Sequence, residues 1–171
     1  FVNLGVGCTS VIANFKMTKP ESIDVALIAK QIKTTKVNRI TASPFFIKKL
    51  SEYVIKSDFK FTNLQKIFTG GAPVFPNESA LYLSAFPNAN STIVYGSTEA
   101  EPISSIAANK LSIINKDLPN GLPVGHVYHK TKLKIIKISE EEIPPCTAEA
   151  LKPMTLEDGE IGEIIVSGLH V

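Results

Sequence analysis

Cysteine is scarce in this chain. Cys8 and Cys146 are its two cysteines, far apart and outside any CxxC or Cys/His spacing, so neither a disulfide framework nor a zinc site is expected. Two idle thiols suit a reducing cytoplasm. A surplus of one charge is lacking as well: 18 Lys and Arg face 16 Asp and Glu, for a formal net charge of +2. The lysines are scattered rather than interleaved with aromatics, which sets nucleic-acid binding aside. No apolar run is long. The most apolar stretch, FVNLGVGCTSVIANF at 1–15, is interrupted by Asn3, Gly5, Gly7, Thr9, Ser10 and Asn14 before it reaches the roughly 18 residues of a transmembrane helix. It also lacks the charged start and cleavage site of a signal peptide.

Several catalytic signatures are missing too. There is no GxxxxGK(S/T) phosphate loop, and GVGCTS satisfies only the first half of GxGxxG, so Gly5 and Gly7 read as turn glycines. The three histidines, His126, His129 and His170, form no HExxH and no cluster with cysteine. Nothing resembles the GxSxG of a nucleophile elbow, so hydrolase readings have no support.

What is present is enough apolar residue, 44% of 171, for one domain or a large piece of one with a real core. The first hundred or so positions alternate strand-like and helix-like segments. TSVIANF (9–15) reads as a strand. TKPESIDVALIAKQIKTTK (18–36) reads as a helix, with Thr18 and Glu21 spaced as a capping box, Pro20 in the first turn, and Val25, Ile28, Ala29 and Ile32 on one face. VNRITA (37–42) is the next strand. SPFFIKKLSEYV (43–54) is a helix with Ser43 as N-cap, Pro44 at its first position, and Phe46, Leu50, Tyr53 and Val54 on one side. LQKIFTGG (64–71) and NSTIVYG (90–96) read as strands around a helix in FPNESALYLSAFP (75–87). Such alternation predicts an α/β fold with a mostly parallel sheet and helical crossovers. Beyond about Ile106 a short helix is expected over 107–114, followed by the turn-rich NKDLPNGLPVG. Strands TKLKIIKIS and GEIGEIIVSG then make a β-rich antiparallel tail, joined by a surface loop over 140–159. The expected organisation is an adenine-nucleotide-binding core over 1–115 and a β-rich unit over 116–171, with both chain ends looking cut from something longer.

Two glycine-bearing segments leave predicted strands at their carboxyl ends, where open parallel sheets bind ligands: FTGGAPV (68–74) and VYGSTE (94–99). Gly70 and Gly71 would let backbone approach a flat base, Tyr95 could stack on it, and Ser97 or Thr98 could donate to a phosphate. Glu99 could bind magnesium, which takes one or two carboxylates together with phosphates and waters. Taken alone, Tyr95 fits a packed edge aromatic better than a stacking platform, and Gly70-Gly71 fits a plain turn. Glu101 reads either as a second carboxylate near magnesium or as the commoner solvated loop glutamate, and the run Glu140 to Glu142 reads as a charged loop.

The same residues resemble the adenylate-forming superfamily of acyl-CoA synthetases, luciferases and adenylation domains. VYGSTE is similar to its tyrosine, glycine, x, threonine, glutamate motif, and TGGAPV to its adenine-contacting glycine loop. VNRITASPFFIKKL resembles the strand and helix before that loop, GLPVG the glycine turn after the motif, and LEDGEIGEIIVSG the hairpin leading toward a ribose-binding aspartate. Five motifs in family order reverse the reading of Tyr95 and the glycines. By this resemblance Gly70, Gly71, Ala72 and Pro73 line the adenine and acyl pocket, and Tyr95 stacks on adenine. Gly96, Ser97 and Thr98 meet the nucleotide, Thr98 at the α-phosphate, and Glu99 binds magnesium. Thr98 and Glu99 are the catalytic pair. One departure stands out: His126 and Val127 follow Gly125 where the family commonly has x-Pro.

The resemblance implies activation of a carboxylic, fatty acid by ATP and Mg2+ to an acyl-adenylate, with transfer to coenzyme A as the second half-reaction. STEAEPISSIAANKL is further similar to the branch containing β-lactone synthetases, in which a β-hydroxyl of the substrate displaces AMP. The family's phosphate loop is expected before Phe1, and its ribose aspartate and catalytic lysine after Val171, which makes this segment a middle part expected to be inactive alone. A noncatalytic nucleotide-binding module is the alternative of another class.

Overall fold

The computed structural model describes residues 7–15, 19–114, 121–169 and 171. Helix α1, Val25–Thr34, begins where Asp24 accepts a hydrogen bond from the Leu27 N–H at 3.0 Å, and it buries Ile28, Ala29 and Ile32. Thr18 lies outside the described residues. A separate 3-10 turn, Pro20–Ser22, precedes an extended Ile23-Asp24 link, so the expected helix starts later than Pro20. Asp24 caps it because it stands next to the first residue of the apolar stripe. The strand expected over 9–15 does not form either. Its backbone is held by a side chain of α1 instead: Gln31 Nε2 donates to the Ile12 carbonyl at 2.9 Å, and the Asn14 N–H donates to Gln31 Oε1 at 3.0 Å.

Helix α2, Pro44–Ser57, has the expected Ser43 cap, whose hydroxyl accepts from the Phe46 N–H at 3.4 Å, and it stops at Asp58 in the left-handed region. Ile47, Leu50 and Val54 are its buried stripe, while Phe46 and Tyr53 pack at the margin of the core. Helix α3, Pro76–Ala85, opens with Pro at its first position, and the Glu78 carboxylate accepts from the Phe75 N–H at 3.3 Å and pairs with Lys48 at 3.3 Å. Both helices therefore follow local sequence signals.

These helices cover one face of a five-stranded sheet in the order β1-β2-β3-β4-β5. Strands β1 (Arg39–Ala42), β2 (Lys66–Gly70) and β3 (Asn90–Ser97) are parallel, and β4 (Ala100–Ala107) and β5 (His126–Val127) add antiparallel to that edge. Ile40, Ile67, Ile93 and Ile106 point from the sheet into a core shared with Ile28, Ile47, Leu50 and Tyr82. Two buried side chains tie the helix layer together. Ser79 Oγ donates to the carbonyl of Ala108 at 2.9 Å, where helix α4 (Ala108–Leu111) begins, and the Tyr82 hydroxyl donates to the Pro44 carbonyl at 3.3 Å. Burial, and then the Glu78 charge, push the Tyr82 hydroxyl far above its ordinary pKa, so it stays a donor.

Strand β4 was not expected from the sequence. Residues 98–99 make the turn of a β3–β4 hairpin, and β5 returns the chain to this sheet after residues 115–120, which hold the expected 115/116 boundary and lie outside the described residues. The antiparallel pair of β6 (Lys132–Ile136) and β7 (Glu163–Ser167) forms as expected. The loop between them is more regular than its prolines suggested. Thr147 caps a one-turn helix α5, Ala148–Leu151, by accepting from the Ala150 N–H at 3.3 Å, and a 3-10 turn, Lys152–Met154, follows. Among the described residues no helix is long and apolar enough to cross a membrane.

Candidate functional site

Parallel pairing of β2 with β3 places Gly70 opposite Val94, so both glycine-bearing segments leave the sheet at one edge. Gly70 has to be glycine for a packing reason: a Cβ there would run into the Val94 backbone carbonyl. Gly71, at φ +80°, turns the chain away from β2 toward α3. On the other strand Gly96 is the irregular residue between Tyr95, paired with Ser104, and Ser97, paired with Ala100. A Cβ on Gly96 would stand 2.7 Å from the Ala100 carbonyl oxygen. Three β4 residues, 101–103, stand against Gly96 there, so the extra residues of the irregularity lie on β4; Tyr95 is 37% exposed, and Ser97, Thr98 and Glu99 are exposed.

Between the two segments lies a cavity of about 390 Å³, lined by residues 71–74, 93–96, 122–124 and Leu111. It sits at the small end of the range of about 300 to 1,000 Å³ usual for ligand pockets. Gly71, Ala72, Pro73, Tyr95 and Gly96 thus share one pocket, with Gly70 as the backbone contact behind it. Val74, Ile93, Leu111 and residues 122–124 belong to the wall as well and were not anticipated. GLPVG signalled a turn, but only tertiary contacts bring that turn here: Ser104 Oγ donates to the Val124 carbonyl at 2.9 Å, and Gly125, at φ +84°, packs on the Ser105 carbonyl. Among the described residues no charged side chain lines the cavity. Of the lining residues Gly71, Ala72, Pro73 and Tyr95 are exposed, whereas Val74 and Leu111, each 1% exposed, and Ile93, 9% exposed, are buried.

The hairpin tip that follows the lining residues Tyr95 and Gly96 carries a charge at Glu99. The Glu99 carboxyl is held below its ordinary pKa by a hydrogen bond from its own backbone N–H and then by one from the Ser97 hydroxyl, so it is ionised and open to solvent. Among the described residues no group of three or more His, Cys, Asp or Glu could form a protein-only metal cage. One hard carboxylate at an open tip instead fits magnesium, which keeps waters and takes its other ligands from phosphates. The remaining titratable candidates stay apart. His126 is exposed on β5, and the His129 ring stands edge-on to Tyr128 at 4.4 Å. His170 lies outside the described residues. Glu101 and Glu140 to Glu142 are exposed, and Cys8 and Cys146 are exposed free thiols.

The fold recurs in solved structures. The amide bond synthetase from Marinactinospora thermotolerans is 18% identical with a TM-score of 0.64, over 86% of this chain and 26% of that one. A long-chain-fatty-acid-CoA ligase from Archaeoglobus fulgidus is 21% identical with a TM-score of 0.60, over 85% and 27%. Curated relatives include the olefin beta-lactone synthetase of Xanthomonas campestris, 28% identical over 166 residues, which are 95% of this chain and 28% of that protein. The olefin beta-lactone synthetase of Stenotrophomonas maltophilia is 27% identical over 95% of this chain and 29% of its own length. The chain therefore spans under a third of the curated relatives that it matches. The family model described as AMP-binding enzyme matches residues 1–171 throughout, and the chain belongs to that adenylate-forming family.

Proposed function

We propose that this chain is the central part of an enzyme that activates a fatty carboxylic acid with ATP. The observation that carries the proposal is the division of the site: an apolar cavity with an aromatic mouth, bordered by a hydroxyl-rich tip that ends in the ionised Glu99. A ligand that fits both parts is amphipathic, with a hydrocarbon part inside and an anionic phosphate outside. An acyl group meeting a nucleotide has that character.

In this reading Gly70, Gly71, Ala72 and Pro73 form the backbone edge along the base, and Tyr95 stacks on it. Gly96 keeps the hairpin close, Ser97 orients the Glu99 carboxylate, and Thr98 donates to the α-phosphate. Glu99 would hold magnesium, which when bound neutralises phosphate charge. The substrate carboxylate attacks the α-phosphorus, pyrophosphate leaves, and an acyl-adenylate results. Positioning and charge stabilisation dominate such transfers, which suits a site made of backbone, hydroxyls and one carboxylate. For the second step two acceptors are open. The curated relatives favour the substrate's own β-hydroxyl, which would attack the adenylate carbonyl, expel AMP and close a β-lactone. Coenzyme A as acceptor, giving a thioester, remains the family-wide alternative. A reducing cytoplasm is the compartment in which the exposed Cys8 and Cys146 would stay thiols.

Carboxylate-dependent ATP-pyrophosphate exchange in the full-length protein tests the activation step, and absence of exchange with all acids would favour a noncatalytic nucleotide module. Two results are expected beside it. Base-on-aromatic stacking is worth roughly 1 to 3 kcal/mol, so Tyr95→Ala should weaken ATP binding by about one to two powers of ten while Tyr95→Phe stays near wild type. Equal damage by both would assign the effect to the hydroxyl and remove the stacking role. The 171-residue chain alone, offering few charge-assisted contacts, should bind ATP only in the roughly millimolar range and form no acyl-adenylate. Micromolar binding in calorimetry, or any pyrophosphate release, would contradict this.

A further inference from the structure

We propose that Ser104 is a positioning residue for nucleotide binding: its hydroxyl holds the 122–124 turn in place as a wall of the cavity in which the base meets Tyr95. The inference rests on the reading above that gives residues 70–73 and Tyr95 to the base, and it adds a residue that touches no ligand. Three chain segments, 71–74, 93–96 and 122–124, line the cavity together with Leu111. Parallel register brings the first two together, since β2 and β3 are adjacent strands and Gly70 pairs with Val94. The third segment is remote in sequence from both and belongs to no helix or strand. Its place on the cavity depends on what anchors it.

Ser104 anchors it from within β4. The residue is 2% exposed, and its Oγ donates to the Val124 carbonyl at 2.9 Å. In the antiparallel pair of β3 and β4 it stands directly across from Tyr95, and residues so paired carry their side chains on the same face of a sheet. Ser104 is therefore a neighbour of both Tyr95 and the turn, yet it does not line the cavity. The turn has two further footholds: Leu122 packs against the main core, and Gly125 sits on the Ser105 carbonyl. Ser105 supplies the comparison. It is chemically identical and adjacent, but it pairs with Val94, is exposed, and carries its side chain on the other face. Strand pairing needs a hydroxyl at neither position; at 104 the hydroxyl serves the turn. A ligand binds most tightly where the walls already stand, because a wall that it has to order subtracts from affinity.

The test uses the full-length protein and an acid that supports ATP-pyrophosphate exchange. The net contribution of one neutral hydrogen bond corresponds to about 2- to 10-fold in a binding constant. Ser104→Ala should therefore raise KM for ATP about 2- to 10-fold with kcat near wild type, whereas Ser105→Ala should leave both unchanged. A serine that served stability alone would lower the melting temperature and leave KM where it was. In the wild-type protein, saturating ATP and Mg2+ should slow amide hydrogen exchange across residues 121–125, a measurement that needs no variant to fold. A folded Ser104→Ala protein with the wild-type KM for ATP overturns the inference. So does an equal rise in Ser105→Ala, or amide exchange across the turn that ATP binding does not alter. A wild-type protein that binds no ATP in calorimetry fails earlier, at the nucleotide reading, and the two failures are thereby distinguished.

Discussion

Glu99→Gln is expected to lower carboxylate-dependent ATP-pyrophosphate exchange by about 10²- to 10³-fold, the range seen when one group stabilising transition-state charge is removed. The amide keeps the shape of the side chain but loses its charge and is a poor ligand for a hard cation. Stability should barely move, because Glu99 sits exposed in a two-residue turn. Glu101→Gln is the control, since Glu101 is also exposed and only two positions away, and it should exchange like wild type. Unchanged exchange in Glu99→Gln, or an equal loss in Glu101→Gln, would remove Glu99 from the metal-binding role.

Gly125→Ala should be the most destabilising of the glycine substitutions outside the strands. Its φ of +84° costs an L-residue about 1 to 2 kcal/mol, and the added Cβ would run into the Ser105 carbonyl and stand 2.8 Å from the Ile106 side chain. Overpacking of that kind adds about 1 to 3 kcal/mol. Together these predict a melting temperature lower by roughly 5 to 20 °C for a domain of this size. Gly121→Ala and Gly159→Ala separate the two causes. Both positions have positive φ, +85° and +94°, but nothing lies within 4 Å of a Cβ there, so only the backbone cost should appear. Thermal melts of the three variants decide the matter, and a Gly125→Ala protein no less stable than Gly159→Ala would contradict the docking of the 122–125 turn on β4. Because that turn forms part of the cavity wall, the same substitution should also loosen the pocket.

The elements legible beforehand were those with a local cause. Ser43-Pro44 starts α2 wherever the chain goes, and the β-branched runs at 39–42, 66–70 and 90–97 make strands. The glycine segments at 70–71 and 96 announced themselves because few other residues tolerate such close backbone approach. What was missed had no local cause. Strand β4 contains Pro102 and four small residues, Ala100, Ser104, Ser105 and Ala107, a composition that argues against a strand. Its turn, Thr98-Glu99, lacks the glycine or asparagine that marks a tight hairpin. Pairing with β3 made it a strand. The opposite error at 9–15 has the same origin: a β-branched stretch with no neighbouring strand was held by the Gln31 side chain and stayed irregular.

The sequence by itself determined the α/β class, the start of α2, the two glycine turns and the identity of the residues at the hairpin tip, because each depends on neighbours along the chain. Tertiary structure alone decided that those turns open on one apolar cavity and that Leu111 and residues 122–124 wall it. It also decided that Glu99 stands apart on an exposed tip. These are distances between residues remote in sequence, set by parallel register and by helix packing on the sheet, and no local pattern encodes them.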